Sequence, residues 1–283
     1  MANTPWQRRI HRANDLIAKH AFASEILGFY IHVAGFQDVL YQQLEGRRST
    51  SVPPGSQILL NARGLNASRQ EVGATQVPQF DATPLLPNFS TFLTLIEAKA
   101  PAHFGQIARD LKNSMADSWS NLLSYCWSSP GELLAPREFL ALAFLQPCAE
   151  FVRSSAVLQL ESYTLALCPL CHRKPVAGVL RQQGDGGRRS LLCGFCLTEW
   201  DFRRVVCPAC SEQDHAKLPV YTAESFPHIR VECCDSCRTY LKTIDLTKNG
   251  LADPLVDELA HVPLDLWAQE RGYAKLRPNL LGM

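Results

Sequence analysis

Residues 168–196 read CPLCHRKPVAGVLRQQGDGGRRSLLCGFC, and residues 207–237 read CPACSEQDHAKLPVYTAESFPHIRVECCDSC. Each stretch opens and closes on a CxxC turn: Cys168 with Cys171 and Cys193 with Cys196, then Cys207 with Cys210 and Cys234 with Cys237. A CxxC turn aims two thiolates at one ion, and two such turns complete a tetrahedral shell of four cysteines. In both stretches about twenty residues separate the turns, and only a short bridge joins Cys196 to Cys207. Sliding the second stretch onto the first aligns CPxC with CPxC, Arg189 with Arg230 and Thr198 with Thr239, as a tandem duplication requires.

Between its knuckles each copy carries strand material. Val176 to Leu180 and Arg189 to Leu192 are expected to pair across Gly184-Asp185-Gly186-Gly187, and Val220 to Thr222 with Ile229 to Cys233 across a longer loop. The reading is two rubredoxin-like or zinc-ribbon-like modules, 165–204 and 205–246, each holding one metal ion on sequentially paired knuckles. Interleaved sharing of the eight thiols is the alternative. Some eighty residues with few large apolar side chains cannot easily build a core, whereas a structural metal contributes roughly 10–16 kcal/mol in small zinc peptides. The sites are therefore expected to be structural, with redox or metal transfer as the competing role. All eight positions are cysteine, which leaves no open position for hydrolytic chemistry. Cys233 is out of register and reads as a spare buried thiol. His172, His215 and His228 read as surface or outer residues around filled shells, and Arg188-Arg189 and Arg203-Arg204 as solvated basic pairs.

Outward from the modules the pattern changes. Residues 1–164 read as a helical domain. Thr4 is placed to cap a helix with Pro5 at its first position and Gln7 closing a capping box. Ile10, Ala13, Ile17, Leu27, Tyr30, Ala34 and Leu40 follow with helical spacing. Residues 46–88 are rich in Gly, Ser, Pro and Asn and read as a long connection, with one short element at Ile58-Leu59-Leu60. Ile107, Leu111, Met115, Trp119, Leu122 and Cys126 recur three or four apart, as one buried face of one helix. Phe139 to Leu145 is apolar all round and should lie mid-domain, with Pro147 kinking or ending its helix. The tail, 247–283, reads as one or two short helices and an extended end. The fold class is α+β: a multihelical half, two four-cysteine modules and a short helical tail.

Bulk composition limits the function. The chain has 283 residues, 46% hydrophobic and 19% charged, with a formal net charge of +1. That balance builds a core and offers no field for nucleic acid or an anionic membrane. No apolar run is long enough to span a bilayer, and none follows Arg8-Arg9 to make a signal peptide, so a cytoplasmic location is expected. In a reducing cytosol clustered cysteines favour metal over disulfide. Nine of the eleven lie between Cys168 and Cys237; Cys126 and Cys148 read as buried thiols in helices. No nucleotide loop, GxSxG or HExxH is present.

With these motifs in view the sequence resembles FdhE, the formate dehydrogenase accessory protein family. The resemblance is carried by CPLCHRKPVAGVL (168–180), LLCGFCLTEWDFRR (191–204), VCPAC (206–210), CCDSCRTYLKTIDL (233–246) and LDLWAQERGYAKLRPNLLG (264–282). It implies a non-enzymatic cytoplasmic factor needed for active respiratory formate dehydrogenase, acting on that enzyme's catalytic subunit before export. It also implies rubredoxin-like centres with iron as the expected ion; spacing alone leaves zinc as the alternative. A rubredoxin-type redox protein for metallocofactor assembly and a zinc-ribbon nucleic-acid binder are the competing functions. Partner surface and oligomeric state stay open.

Overall fold

The computed structural model describes residues 4–49, 80–129, 135–156, 158, 160, 163–184, 186–279 and 281–282. The short element expected at Ile58-Leu59-Leu60 lies outside them. The chain divides into two compact units. One comprises Met1–Gln7, Phe29–Leu158 and Leu280–Gly282; the other comprises Arg8–Gly28 and Gln159–Asn279.

The first unit is helical, and the stretch Arg8–Gly28 of its first two helices belongs to the second. α1 (Pro5–Lys19) starts as its sequence dictates, with the Gln7 N–H donating to Thr4 Oγ1 at 3.1 Å and the Thr4 N–H to Gln7 Oε1 at 3.4 Å. After a 3₁₀ turn, α2 (Ser24–Ser49) follows, then α3 (Leu86–Lys99), α4 (Ala102–Lys112), α5 (Ala116–Ser128) and α6 (Pro136–Ser155). Phe89, Phe92 and Phe144 pack with ring centroids 4.9–5.7 Å apart, all fully buried.

One expectation fails here for a local reason. The stripe from Ile107 to Cys126 runs through a break between α4 and α5, where Met115 is 76% exposed. Ser114 Oγ and Trp119 Nε1 both donate to the Leu111 carbonyl, at 2.7 and 2.6 Å, which satisfies the end of α4 and turns the chain. Pro147 does not end α6, which continues to Ser155. Proline has no N–H for the carbonyl four residues back, and that carbonyl, of Ala143, accepts instead from buried Gln37 Nε2 at 2.6 Å. Phe139 to Leu145 are all buried, as their composition requires.

The second unit is built on one sheet. β1 (Ala177–Gln183) pairs antiparallel with β2 (Gly186–Leu192), and β2 with β3 (Glu199–Asp201). β4 (Val220–Thr222), β5 (Ile229–Cys234) and β6 (Thr239–Asp245) form the second antiparallel set. The sets join by parallel pairing of β1 with β6, giving the order β3-β2-β1-β6-β5-β4. Gly178 sits opposite Thr243 in that seam. A Cβ there would stand 2.2 Å from Thr243 Oγ1, so only glycine lets the two sets come together. The tail supplies α7 (Pro254–Ala260), α8 (Val262–Glu270) and β7 (Ala274–Lys275), which pairs with β6. Asp253 caps α7, accepting from the Leu255 and Val256 N–H groups at 3.0 and 3.1 Å. Among the described residues no helix is long and apolar enough to cross a membrane.

Candidate metal centres

The four knuckles share one backbone form. In each the first cysteine's carbonyl or amide is tied to residues just beyond the turn. His172 N–H donates to Cys168 O at 2.9 Å, Ser211 N–H to Cys207 O at 3.0 Å and Arg238 N–H to Cys234 O at 2.8 Å. Cys168, Cys193 and Cys207 amides donate to the carbonyls of Arg173, Thr198 and Glu212. The residue after every second cysteine is left-handed: His172 at φ 56°, Leu197 at 56°, Ser211 at 64° and Arg238 at 57°. None is glycine, so each carries a strain of about 1–2 kcal/mol that the surrounding turn holds. Amide donors also face sulfur, with Phe195 N–H on Cys193 Sγ and Ala209 N–H on Cys207 Sγ, both at 3.4 Å.

These turns gather the eight cysteines into two clusters. Cys168, Cys171, Cys193 and Cys196 form one, and Cys207, Cys210, Cys234 and Cys237 the other, all sulfurs of a cluster lying within 4.8 Å of one another. In the first, Cys168 and Cys196 sulfurs are 3.4 Å apart, as are those of Cys171 and Cys193. In the second, the Cys207–Cys237 and Cys210–Cys234 distances are 3.7 and 3.6 Å. A tetrahedron with metal–sulfur bonds of about 2.3 Å has edges of about 3.8 Å, whereas a disulfide would need about 2.05 Å. The clusters thus have the size of a four-thiolate shell, with the knuckles paired sequentially.

Their electrostatics point the same way. In the first cluster, burial pushes the Cys168 and Cys196 thiols well above their ordinary range. Burial works against ionisation of Cys171 too, but hydrogen bonds from its three cysteine neighbours, helped by Arg173, hold it well below. In the second, burial raises Cys207 to about 12 and also lifts Cys210. Burial of Cys237 is outweighed by hydrogen bonds from the Thr239 side chain and backbone, which bring it to about 7. In each cluster one thiol is thus held down while burial lifts two others, and a cation is what would let those two ionise.

Family models described as "FdhE, central domain" and "FdhE, C-terminal domain" match residues 167–204 and 205–281, one cluster in each. A "Protein FdhE homolog" of Aquifex aeolicus is 25% identical over 274 residues, covering 96% of this chain and 94% of the relative. Another, of Pseudomonas aeruginosa, is 38% identical over 135 residues, 46% of this chain and 43% of that one. The crystal structure of the FdhE protein from Pseudomonas aeruginosa superposes with a TM-score of 0.68 at 25% identity, covering 99% of this chain and 96% of that one. These matches bear out the resemblance to the FdhE family.

Within this FdhE-like unit several residues fall where the sequence reading did not put them. His228 is buried away from the thiols and its Nε2 lies 2.9 Å from Asp257 Oδ1. Arg189 is buried and paired with Glu232 at 2.5 Å, not solvated. Arg12 is buried too, bidentate on Asp257 at 2.6 and 2.9 Å. The aligned threonines touch sulfur: Thr198 Oγ1 lies 3.1 Å from Cys196 Sγ, and Thr239 Oγ1 2.8 Å from Cys237 Sγ. Their alignment across the duplication was the signal for that role. Cys233 sits in the core beside Ile229, Val231 and Tyr240, with burial raising its thiol to about 12. Cys126 and Cys148 are buried. His172 is exposed at its left-handed turn, and His215 is exposed in a short 3₁₀ turn.

Proposed function

We propose that this chain is a non-enzymatic accessory factor for respiratory formate dehydrogenase, acting in the cytoplasm on the catalytic subunit before that subunit is exported. The observation that carries the reading is the coincidence of the two four-thiol clusters with the stretches that match the FdhE domain models. In this reading Cys168, Cys171, Cys193 and Cys196 hold one ion, and Cys207, Cys210, Cys234 and Cys237 hold a second. Four sulfur donors suit rubredoxin-type iron, the favoured ion, and zinc equally in geometry. When bound, the ion supplies charge to ionise the thiols and ties two hairpins into a rigid surface.

The test is a pull-down with the full chain from cells making formate dehydrogenase, with metal measured on the same sample. Co-purification of the catalytic subunit with a chain carrying two ions is expected. A chain that carries both ions and retrieves no catalytic subunit from such cells overturns the reading. A rubredoxin-type redox role is the second reading, favoured by the exposure of Cys210, which brings one thiol of the second cluster to solvent. It requires iron, so zinc in both clusters after anaerobic purification removes it.

A further inference from the structure

A third group of metal-type donors lies away from the thiols. His228, Asp257 and His261 are buried, and one ligand atom from each lies within 4.8 Å of the other two. We propose that these three residues form a separate site for one divalent transition-metal ion, bound through imidazole and carboxylate. The inference neither rests on the accessory-factor reading nor uses the cysteines.

His261 has no exposed surface. Its Nδ1 lies 2.6 Å from the Asp257 backbone carbonyl. A carbonyl only accepts, so Nδ1 carries the proton and Nε2 is left with a bare lone pair. That Nε2 is buried and has no hydrogen-bond partner. Buried polar atoms are ordinarily satisfied, so this one calls for an explanation. An imidazole with one nitrogen donating to a carbonyl and the other bare is how proteins set a metal ligand.

The neighbours complete the set. His228 Nε2 stands 2.9 Å from Asp257 Oδ1. Adjacent ligands of an octahedral ion with bonds of about 2.05 Å stand about 2.9 Å apart, as in a facial triad, so an ion can take the place of the shared proton. Arg12 grips the same carboxylate, and the Asp253 N–H donates to its Oδ2 at 2.9 Å, fixing the orientation of Asp257. The guanidinium's charge opposes a cation, so this site should bind more weakly than the four-thiol clusters. His20 is half-buried, its ring 5.9 Å from that of His261, with Phe22 and Phe226 alongside. Two imidazoles and one carboxylate leave coordination positions open, the donor set of non-haem Fe(II) and catalytic zinc sites.

The test uses the full chain with both thiol clusters loaded with zinc, titrated with Co²⁺. Wild type should take one further equivalent, with X-ray absorption showing imidazole and oxygen donors and no sulfur. His261→Asn keeps a donor at the Nδ1 position, and His228→Gln keeps one at Nε2, so each preserves its hydrogen bond while removing a ligand. Both should lose the third equivalent and keep the zinc. The proposal is overturned if wild type takes no third equivalent, if that cobalt shows sulfur donors, or if both variants keep it. The wild-type spectrum decides the question even if a substitution disturbs folding.

Discussion

The two four-cysteine clusters come from one duplicated module and differ in what surrounds them. In the first, Cys168, Cys193 and Cys196 are buried, and buried Arg173 lies over the Phe195 ring at 4.0 Å. In the second, Cys210 is exposed, Cys237 is half-buried, and a cavity of about 260 Å³ is lined by Cys207, Cys233 and Cys234. Strand order explains part of the contrast. β1 of the first module lies between β2 and β6, whereas its counterpart β4 is an edge strand with all three residues exposed. Ligand spacing sets the shell, then, while the position of the hairpin in the sheet sets how far solvent reaches it. The first cluster is the more buried of the two, and the second is the more open to solvent.

Replacing Cys168 by serine should produce the largest effect. Serine is a poor ligand, and an ion worth on the order of 10 kcal/mol in small peptides rivals a whole domain's stability. Residues 163–279 should lose protease resistance together with the first ion. Cys210→Ser should release only the second ion and leave the first bound. A chelator should likewise strip the second cluster before the first. Equal losses for the two variants, by metal content and proteolysis, would break the contrast.

Gly178→Val comes next. Its side chain would collide with Thr243 in the β1–β6 seam, and overpacking of this kind costs about 1–3 kcal/mol or more. Chemical denaturation should then show the two modules melting apart, both still metal-loaded. A single unchanged transition would show that the seam does not couple them. Cys148→Ser, in the helical unit, removes a buried thiol without any metal role. It should cost no more than a few kcal/mol and leave both ions in place.

The modules were legible because a metal shell demands fixed residue types at fixed spacing, and local hairpins leave a period-two pattern. The same logic exposed Thr198 and Thr239 as equivalents, though only the structure put their hydroxyls on sulfur. What stayed hidden was long-range pairing of charges. Arg12 and Asp257 are 245 residues apart, and no local pattern links them. β6 carries Lys242 at its centre, fully buried against Asp265 at 2.6 Å and Glu258 at 3.3 Å. Met115 shows the converse limit: helical spacing persisted across a break that Ser114 and Trp119 close by side-chain hydrogen bonds.

The smallest effect separates the clusters most finely. Thr198 is fully buried beside Cys196, while Thr239 is only half-buried beside Cys237. Valine keeps the shape of threonine and deletes the hydroxyl, so each substitution removes one hydrogen bond to sulfur, worth about 1.5–3 kcal/mol when the acceptor is charged. The loss should be greater at Thr198→Val, where no water can replace the hydroxyl, than at Thr239→Val, where solvent screens it. The second site adds a pH signature when its ion has been stripped and the first remains. Cys237 is then held down to about 7, with the Thr239 hydrogen bonds outweighing burial. A depressed acid stabilises the fold fully above its unfolded pKa and loses that contribution as pH falls through its folded value. The deficit of Thr239→Val should therefore be plain at pH 9 and nearly absent below pH 6. The alkylation rate of Cys237 by iodoacetamide should rise through about pH 7 in wild type and at higher pH in the variant. If the two alkylation profiles coincide, the hydroxyl does not set the thiolate, and the exposed cluster is tuned by its sulfur neighbours alone.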